Sequence, residues 1–419
     1  MNTEYKIVRD SIHGDIKFQG IFLELLESPE IQRLHNIKQL GFANMVFPGA
    51  NHTRLEHSLG VYKIANIVSD IIDLDKDEKT ILACAAMLHD IGHGPFSHTL
   101  EALLRELFGL DHVDLTEKLI LGEYEIYDEK EKKFIDTPSV SEILDKHGVD
   151  KQLVIDIIRG SEIKNKQYLS QLLNSPIDVD QLDYLQRDSH YTGVAYGLID
   201  ASRYLQTLEI FDNELAIKRK GISVVENILV ARGLMYSTVY FHKTVRIADL
   251  MLSKAIEEIE KFEPFEFFSM TDSELFEKLK EMKDFQYEIA ARLKYRRLFK
   301  QAYVLPSQNI DDEKLETIRK LEDPVFRRKK EKEIEEILGI PSGHIIIDIP
   351  SPEVYLSEPR IDKVEIKVVM EDRSVKKLED FTPLADALKL RKIPDWCLMV
   401  ITDDKYKEKV SEKVEDILF

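Results

Sequence analysis

Residues 87–98 read Met-Leu-His-Asp-Ile-Gly-His-Gly-Pro-Phe-Ser-His, and in this stretch an adjacent histidine and aspartate close a long apolar run. The pair is His89 and Asp90, and the apolar run before it predicts a helix that ends at the glycines. A neutral imidazole and a carboxylate side by side can both bind one metal ion. Gly92 and Gly94 let the backbone approach a small charged ligand. The stretch therefore predicts a metal centre at the end of a helix.

Two further stretches supply the same types of ligand. Residues 52–60 read His-Thr-Arg-Leu-Glu-His-Ser-Leu-Gly, and residues 177–184 read Ile-Asp-Val-Asp-Gln-Leu-Asp-Tyr. Six of the twelve histidines lie between residues 52 and 112, which favours a site over isolated structural histidines. Together the three stretches predict a set of four metal ligands: His57, His89, Asp90 and Asp180.

The predicted donors suit a divalent cation such as Mn²⁺, Fe²⁺, Zn²⁺ or Mg²⁺, which would polarise a phosphoryl oxygen. Arg54 lies one helical turn before His57, where its guanidinium can hold a phosphate next to the metal. We interpret His93 and His98 as proton donors or phosphate contacts, because the four ligands already suffice for one ion. Glu101 lies three residues after His98 and can orient that imidazole.

Composition narrows the class of protein. The 419 residues are 43% hydrophobic, enough for one large or two moderate domains. No run reaches the roughly eighteen uncharged apolar residues of a membrane span, and the N-terminal residues lack a secretory pattern. Neither Cys84 nor Cys397 lies in a paired motif, so we expect free thiols and a cytoplasmic location. A net charge of −19 argues against strong nucleic-acid binding.

The hydrophobic pattern predicts a mostly α fold up to residue 305 and a small α+β appendage over residues 306–419. The helical part should contain helices over 54–72, 79–90 and 222–262, a helix with Pro95 in its first turn, a helix near Val179 capped by Asp178, and a hairpin over 209–218. The appendage should contain a solvated helix over 319–336, strands over 344–349, 364–370 and 396–402, and a helix over 405–418.

Several separated motifs occur in an order that resembles a known family. They are Gln39-Leu40-Gly41, residues 46–50, residues 54–61, the stretch from His89 to His98, and residues 178–184. These motifs resemble the HD-domain dNTP triphosphohydrolases, including a vertebrate enzyme with SAM and HD domains and bacterial dGTPase-like proteins. The likeness covers most of residues 4–305. It implies an HD-domain helical core over residues 1–305 with an N-terminal regulatory segment, and hydrolysis of a dNTP to deoxynucleoside and triphosphate in control of the dNTP pool.

The resemblance also implies roles for individual residues. The four predicted ligands keep that role, and Arg54 contacts phosphate. Catalysis is assigned to His93, His98, Glu101 and His112, with Glu101 standing where the family has aspartate. The deoxyribose pocket is matched by Gln39, Leu40, Tyr184 and Asp188, the wall against a ribose 2′-OH by Tyr240, and a further phosphate contact by Arg232. Gln181 stands where the vertebrate enzyme has a phosphate-binding lysine.

The family resemblance further implies a homotetramer activated by nucleotides bound between subunits. Glu27 stands for an aspartate that reads guanine, so dGTP or GTP is the expected activator, whereas His35 stands for an arginine. The residues that match the activator site are Lys6, Ile7, Glu27, Gln32, His35, Arg203, Lys218, Lys220, His242, Lys243, Arg296 and Lys300.

Two other functions remain as alternatives. The first is an HD phosphohydrolase for another nucleotide, such as a ribonucleotide or an alarmone. Tyr184, Tyr240 and Asp188 favour deoxyribose over this alternative. The second is a weakly catalytic nucleotide sensor or single-strand binder. The complete ligand set argues against an inactive site, and the net negative charge argues against general nucleic-acid binding.

Overall fold

The computed structural model describes residues 4–127, 130–259, 264–282, 284–306, 310–350, 366–384 and 396–419. The fold is mostly helical, with short strands, as predicted. The chain divides into two compact units: residues 1–235, 263–273 and 360–389, and residues 236–262, 274–359 and 390–419. The second unit begins before residue 305, and the division into domains at that residue stays a prediction.

The first unit begins with a hairpin of β1 (Tyr5–Asp10) and β2 (Gly14–Gln19), which pair antiparallel. Its helices are α1 (Ile21–Glu27), α2 (Pro29–Arg33), α3 (Arg54–Ile71), α4 (Lys76–Leu88), α5 (His98–Phe108), α6 (His112–Leu121), α7 (Val140–Lys146), α8 (Lys151–Arg159), α9 (Gln167–Leu173), α10 (Val179–Thr192), α11 (Ala201–Leu205), α12 (Ile222–Met235) and α14 (Pro264–Ser269). The strands β3 (Leu208–Phe211), β4 (Glu214–Lys218), β7 (Lys367–Val369) and β8 (Val375–Lys377) form one sheet in that order.

Helix α15 (Asp272–Glu281) starts in the first unit and continues into the second. The second unit contains a π-helical turn (Tyr236–Tyr240), helices α13 (Lys243–Glu257), α16 (Phe285–Lys294), α17 (Asp312–Leu321), α18 (Pro324–Leu338) and α19 (Lys407–Leu418), and strands β5 (Lys300–Pro306), β6 (Ile345–Asp348) and β9 (Trp396–Thr402). The strands form an antiparallel sheet in the order β5-β9-β6. One face of this sheet packs on helices α17, α18 and α19 around buried aliphatic side chains.

The helices that carry the predicted site begin at side-chain caps. Thr53 forms a capping box with Glu56, which starts α3 directly before Arg54. Asp178 accepts a hydrogen bond from the backbone N–H of Gln181 at 2.9 Å and starts α10. Helix α4 ends at Leu88, so the His-Asp pair lies in the turn that directly follows its apolar run. These features confirm three of the predicted helices.

The core around α4 also confirms one prediction about cysteine. Cys84 is a fully buried free thiol, and burial raises its pKa to about 12. Among the described helices, the run Arg219–Tyr240 is long and apolar enough to cross a membrane, but 56% of its apolar window is buried inside the protein. A core helix of a globular protein has the same properties.

Three helix predictions are wrong in detail. The helix predicted over 222–262 breaks, because a π-helical turn ends it and His242 then caps α13 through a hydrogen bond from Thr244 N–H at 3.2 Å. Helix α5 starts at His98 rather than at Pro95, because Phe96 and Ser97 have φ values of 56° and 50° that no helix contains.

The charged helix predicted over 319–336 is two helices, because Asp323 caps a new helix that starts at Pro324. Helix α18 is also not fully solvated. Glu331 and Glu335 accept hydrogen bonds from the backbone N–H groups of Ile347 at 2.8 Å and Ile345 at 3.1 Å. Strand β6 lies at the edge of its sheet, so these buried carboxylates satisfy N–H groups that no strand pairs.

The small hairpin is confirmed, and it acquires unexpected partners. It turns at Asp212 and Asn213, whose positive φ values of 51° and 62° match the twist of a two-residue turn. Strand β7 pairs parallel with β4, with Ile217 opposite Val368. The region predicted as a separate appendage therefore contributes two strands to the first unit. The part of the predicted strand before residue 366 lies outside the described residues.

Candidate functional site

The four predicted metal ligands converge on one point in the first unit. Nε2 of His57 lies 2.9 Å from Asp180 Oδ1 and 3.7 Å from Asp90 Oδ2. Nε2 of His89 lies 3.4 Å from Asp90 Oδ1 and 3.8 Å from Asp180 Oδ1. Helix α3, the end of α4 and the first turn of α10 thus bring nitrogen and oxygen donors within reach of one cation.

The donor set fits a divalent cation. His89 Nδ1 faces the carbonyl oxygen of Ala86 at 2.9 Å and donates its proton there, which leaves a lone pair on Nε2. That Nε2 is buried and has no hydrogen-bond partner within the described part of the chain. A buried nitrogen without a partner is costly unless a ligand occupies the space beside it. The pair of histidines and pair of aspartates would supply four protein ligands.

The charges of the site are strongly coupled. Burial disfavours a charged His57, but hydrogen bonds and charges from Asp180 and Asp183 outweigh it and raise the pKa of His57 to about 10. Burial likewise disfavours ionised Asp90, yet the charge of Arg54 holds its pKa well below the usual value. A metal must displace the proton from His57, so metal and proton compete for this ring.

Arg54 is the buried cation next to the ligands. Its Nη1 donates to Asp90 Oδ2, and its Nε donates to Ser97 Oγ at 2.7 Å. The remaining Nη2 is buried and has no hydrogen-bond partner among the residues described. A guanidinium with one N–H group still available suits a phosphate oxygen.

The loop that contacts Arg54 is held in a strained conformation. Phe96 and Ser97 both have positive φ, which costs free energy for residues with a side chain. Asp272 accepts hydrogen bonds from the backbone N–H groups of Phe96 at 2.7 Å and Lys38 at 3.0 Å. Ser97 Oγ also donates to the carbonyl oxygen of Lys38 at 2.9 Å. These contacts fix the loop that follows Gly92 and Gly94.

A second group of titratable residues lies beside Asp90. His93 Nε2 lies 3.3 Å from Asp90 Oδ1, and the His93 ring stacks on His112 with 3.9 Å between centroids. His112 Nδ1 bonds to Glu101. Burial and the positive charges of Arg54 and His112 lower the pKa of His93, whereas Glu101 raises that of His112 against the effect of burial. The side chain of His98 lies outside the described residues.

The residues predicted for the sugar pocket bring in a histidine that the sequence analysis passed over. Asp188 Oδ1 lies 2.9 Å from His52 Nε2, and both side chains are buried. The backbone N–H of Gln39 donates to the carbonyl oxygen of His52 at 3.1 Å. Gln39 is buried, whereas Leu40 and Tyr184 are partly buried. His52 opens the same motif as His57, and this position was the only signal that could have identified it.

Arg232 and Gln181 form a hydrogen bond with each other. Arg232 is fully buried, and its Nη1 donates to the carbonyl oxygen of Pro176 at 3.2 Å and to Gln181 Oε1 at 3.4 Å. Gln181 Nε2 donates to the carbonyl oxygen of Ser175 at 3.2 Å. The residue that stands in place of the family's lysine therefore contacts the predicted phosphate arginine. The role of both in phosphate binding stays a prediction.

The remaining predicted residues lie in both compact units. In the first unit, Lys6 forms an ion pair with Glu27, and Gln32 Nε2 donates to the Leu26 carbonyl at 2.6 Å. In the second unit, Tyr240 packs against Tyr236 at 4.9 Å, and Lys243 bonds to Gln301 at 2.9 Å. The first unit also contains Ile7, His35, Arg203, Lys218 and Lys220, and the second His242, Arg296 and Lys300. Their activator role stays a prediction.

Comparison with known proteins agrees with this geometry. Residues 54–188 match the family described as HD domain, and residues 199–419 match the HD associated region. An uncharacterized protein of Methanocaldococcus jannaschii is 33% identical over 98% of this chain and 81% of its own length. The deoxynucleoside triphosphate triphosphohydrolase SAMHD1 of Homo sapiens is 28% identical over 60% of this chain and 44% of its own length. A phosphohydrolase structure from Bacteroides thetaiotaomicron superposes with a TM-score of 0.70 at 25% identity, over 96% of this chain and 100% of that one.

Proposed function

This chain belongs to the HD-domain family, with an HD-associated region after its HD domain, and we propose that it is a metal-dependent dNTP triphosphohydrolase. The reaction would convert a dNTP and water into a deoxynucleoside and inorganic triphosphate. Support comes from the relative that carries this name, although the chain spans less than half of that protein's length. The ligand set would hold a divalent cation such as Mg²⁺, Mn²⁺, Fe²⁺ or Zn²⁺.

The observation that carries the proposal is the state of Arg54. Arg54 is 1% exposed and its guanidinium lies against Asp90, yet one guanidinium nitrogen has no hydrogen-bond partner in the described structure. Leaving a buried N–H group unpaired costs about 1–3 kcal/mol. A phosphate oxygen held beside the four ligands would accept that hydrogen bond. An anionic phosphoryl substrate therefore explains both the ligand set and the arginine.

The proposed chemistry follows from the same residues. A bound cation would withdraw charge from a phosphoryl oxygen. The oxygen of water bonds to the α-phosphorus, the bond from phosphorus to the 5′-oxygen breaks, and the 5′-oxygen leaves with a proton. His93 and His112 are placed to handle protons, because they stack on each other and Glu101 favours the charged form of His112. His98 begins the helix that carries Glu101 and keeps its proposed catalytic role.

Sugar recognition is proposed for the pocket of Asp188. Its carboxylate is buried and held by His52, so it presents a fixed acceptor to a hydroxyl of deoxyribose. We also assign Tyr240 to a wall against the 2′-OH. One hydroxyl packed against a ring is worth on the order of 1–3 kcal/mol, or about ten- to two-hundred-fold in rate.

An HD phosphohydrolase for another nucleotide is the second candidate. The contact between Gln181 and Arg232 favours it, because Gln181 is neutral and so adds no second cation beside Arg232 for a triphosphate. A weakly catalytic nucleotide sensor is the third reading of the same site.

A substrate panel distinguishes these functions. The metal-loaded protein is incubated with single and mixed dNTPs and with the four NTPs, and ion-exchange chromatography identifies the products. The expected result is deoxynucleoside from dNTPs at about ten- to two-hundred-fold the rate for NTPs, with a narrower ratio in Tyr240→Ala. Equal rates for dATP and ATP would contradict the assignment to deoxyribose. If no nucleotide is turned over, both hydrolase proposals are wrong and the nucleotide sensor is the remaining candidate.

A further inference from the structure

We propose that the N-terminal hairpin β1–β2 is an outer part of the cation site, so that cation binding at His57 and docking of the hairpin stabilise each other. The hairpin residue His13 acts as a positioning residue for His57 through Asp183. This inference rests on the proposed cation site, but it does not depend on the substrate being a dNTP.

A hydrogen bond to Asp183 orients the ring of His57. Its Nδ1 lies 2.8 Å from Asp183 Oδ2, and both side chains are almost completely buried. A carboxylate facing one ring nitrogen holds the proton there, which leaves the other nitrogen with a lone pair. Asp183 therefore sets the tautomer in which Nε2 of His57 can bind a cation.

Asp183 also contacts the hairpin. Its Oδ1 lies 2.6 Å from His13 Nε2. Arg187, one turn later on α10, donates through Nε to Oδ2 and through Nη2 to Oδ1, both at 2.9 Å. These two hydrogen bonds from Arg187 fix the direction of the carboxylate that orients His57.

The turn between β1 and β2 positions His13. Asp10 Oδ1 accepts hydrogen bonds from the backbone N–H groups of Ile12 at 2.9 Å and His13 at 2.7 Å. Its other oxygen accepts from Arg187 Nη1 at 2.8 Å. Ser11 Oγ also lies 2.9 Å from the hydroxyl of Tyr191 on α10. The turn between β1 and β2 is therefore attached to α10 through Asp10, Ser11 and His13.

Packing leaves Asp183 little freedom to relax. Gly60 lies on α3, the helix that carries His57, and a Cβ built on it would come 1.9 Å from Asp183 Oδ1 and 2.5 Å from Arg187 Nη2. The carboxylate thus lies directly against the backbone of α3. If His13 moves away with the hairpin, Asp183 loses a hydrogen-bond partner. Because its carboxylate stays packed against α3, the helix that carries His57, this loss acts on His57.

The two strands of the hairpin attach differently from its turn. Most residues of β1 are exposed, including Tyr5 and Ile7, while β2 buries Ile16 and Phe18, and Phe18 stacks on Tyr62. The turn itself is attached to α10 through polar contacts, and His13 supplies the one that reaches Asp183. Because linkage is reciprocal, a cation that fixes His57 must strengthen docking by the factor by which docking strengthens cation binding.

The affinity test uses Mn²⁺ alone, by equilibrium titration of the full chain. His13→Ala should weaken Mn²⁺ binding by about tenfold or more, the scale on which groups behind a metal ligand act. His13→Gln should recover most of the affinity, because its amide N–H can still donate to Asp183. Arg9→Ala is the matched control, since Arg9 lies in the same hairpin and pairs with Asp15 at 2.9 Å.

The docking test measures amide hydrogen exchange of residues 5–19 with and without Mn²⁺. Mn²⁺ should slow exchange in the wild type and in Arg9→Ala, and much less in His13→Ala. Three results would each overturn the inference. They are a wild-type Mn²⁺ affinity in His13→Ala, hydrogen exchange of the hairpin that does not change when Mn²⁺ is added, and a wild-type chain that binds no Mn²⁺. Linked Mn²⁺ binding without dNTP hydrolysis would contradict only the proposed function.

Discussion

The rings of His93 and His112 lie nearly parallel, at 11° and with 3.9 Å between their centroids. Their tendencies to bind a proton are opposite. Burial and nearby positive charge lower the pKa of His93, whereas Glu101 raises that of His112. The stack therefore places a ring that favours its neutral form between Asp90 and a ring that favours its charged form. In such an arrangement His93 can donate a proton toward the phosphoryl site and receive another proton from His112.

The four ligands lead to a prediction about metal content. His57→Ala and Asp90→Ala should each lose stoichiometric metal and activity while circular dichroism shows a retained fold. Elemental analysis measures the metal. The control is Glu288→Gln. Glu288 belongs to another cluster of a histidine and carboxylates, with His344 and Asp403, and it already pairs with Arg292. Full metal in both ligand variants, or metal lost only from Glu288→Gln, would contradict the assignment.

The stack leads to a prediction about Glu101. Glu101→Gln should lower kcat by roughly 10²- to 10⁴-fold, the usual contribution of proton transfer, because His112 loses the charge that favours its protonated form. Metal content should stay at the wild-type level. Glu106→Gln, on the same helix but exposed, is the control. Unchanged kcat in Glu101→Gln would remove this pair from the mechanism.

Nucleotide activation is a prediction that follows from the family resemblance and from the charges of Lys6 and Arg296. Addition of dGTP or GTP should raise dATP hydrolysis and stabilise a tetramer, as followed by light scattering. Arg296→Ala should reduce both effects. A flat rate and an unchanged oligomer in the wild type would end the regulatory proposal and leave the catalytic one in place.

Glu30 gives a prediction about pH and stability. Burial raises its pKa to about 7, from an ordinary value of 4.5, and one of its oxygens has no hydrogen-bond partner among the described residues. Between these two values the folded chain binds a proton that the unfolded chain lacks, so the free energy of unfolding falls as the pH rises. Above pH 7 the full cost is about 3 kcal/mol.

Melting temperatures at pH 5, 6, 7 and 8 test this prediction with Glu30→Gln. The variant should gain stability relative to the wild type as the pH rises from 5 to 7, and the gain should then level off. Glu313→Gln, which removes an exposed carboxylate, is the control. A difference between Glu30→Gln and wild type that does not change with pH would contradict the account.

Local features of the site could be predicted because adjacent residues encode them. The capping residues Thr53 and Asp178 fix where α3 and α10 begin, and the apolar run of α4 fixes where the His-Asp pair lies. The roles of His52 and Asp183 could not be predicted, because each depends on a partner more than a hundred positions away in the chain. Both residues lie inside motifs, but the motifs do not reveal which side chains meet.

The fold shows the same limit. The apolar run Trp396–Thr402 predicts the strand that the structure contains, but the sequence does not reveal the pairing of β7 with β4, because that pairing joins distant segments. The break before α13 was missed because the residues around His242 are apolar enough to continue a helix, and the interruption depends on a side-chain cap. Sequence pattern thus predicts elements better than the contacts between them.

We propose that Arg54 and the four ligands act together on the α-phosphorus of a dNTP. Phosphorus NMR can follow hydrolysis of dGTP and dATP by the metal-loaded protein, with Arg54→Ala measured beside it. The expected phosphorus product is inorganic triphosphate, with turnover lost in the variant. Release of only orthophosphate or pyrophosphate would show that the α-phosphorus is not the point of attack.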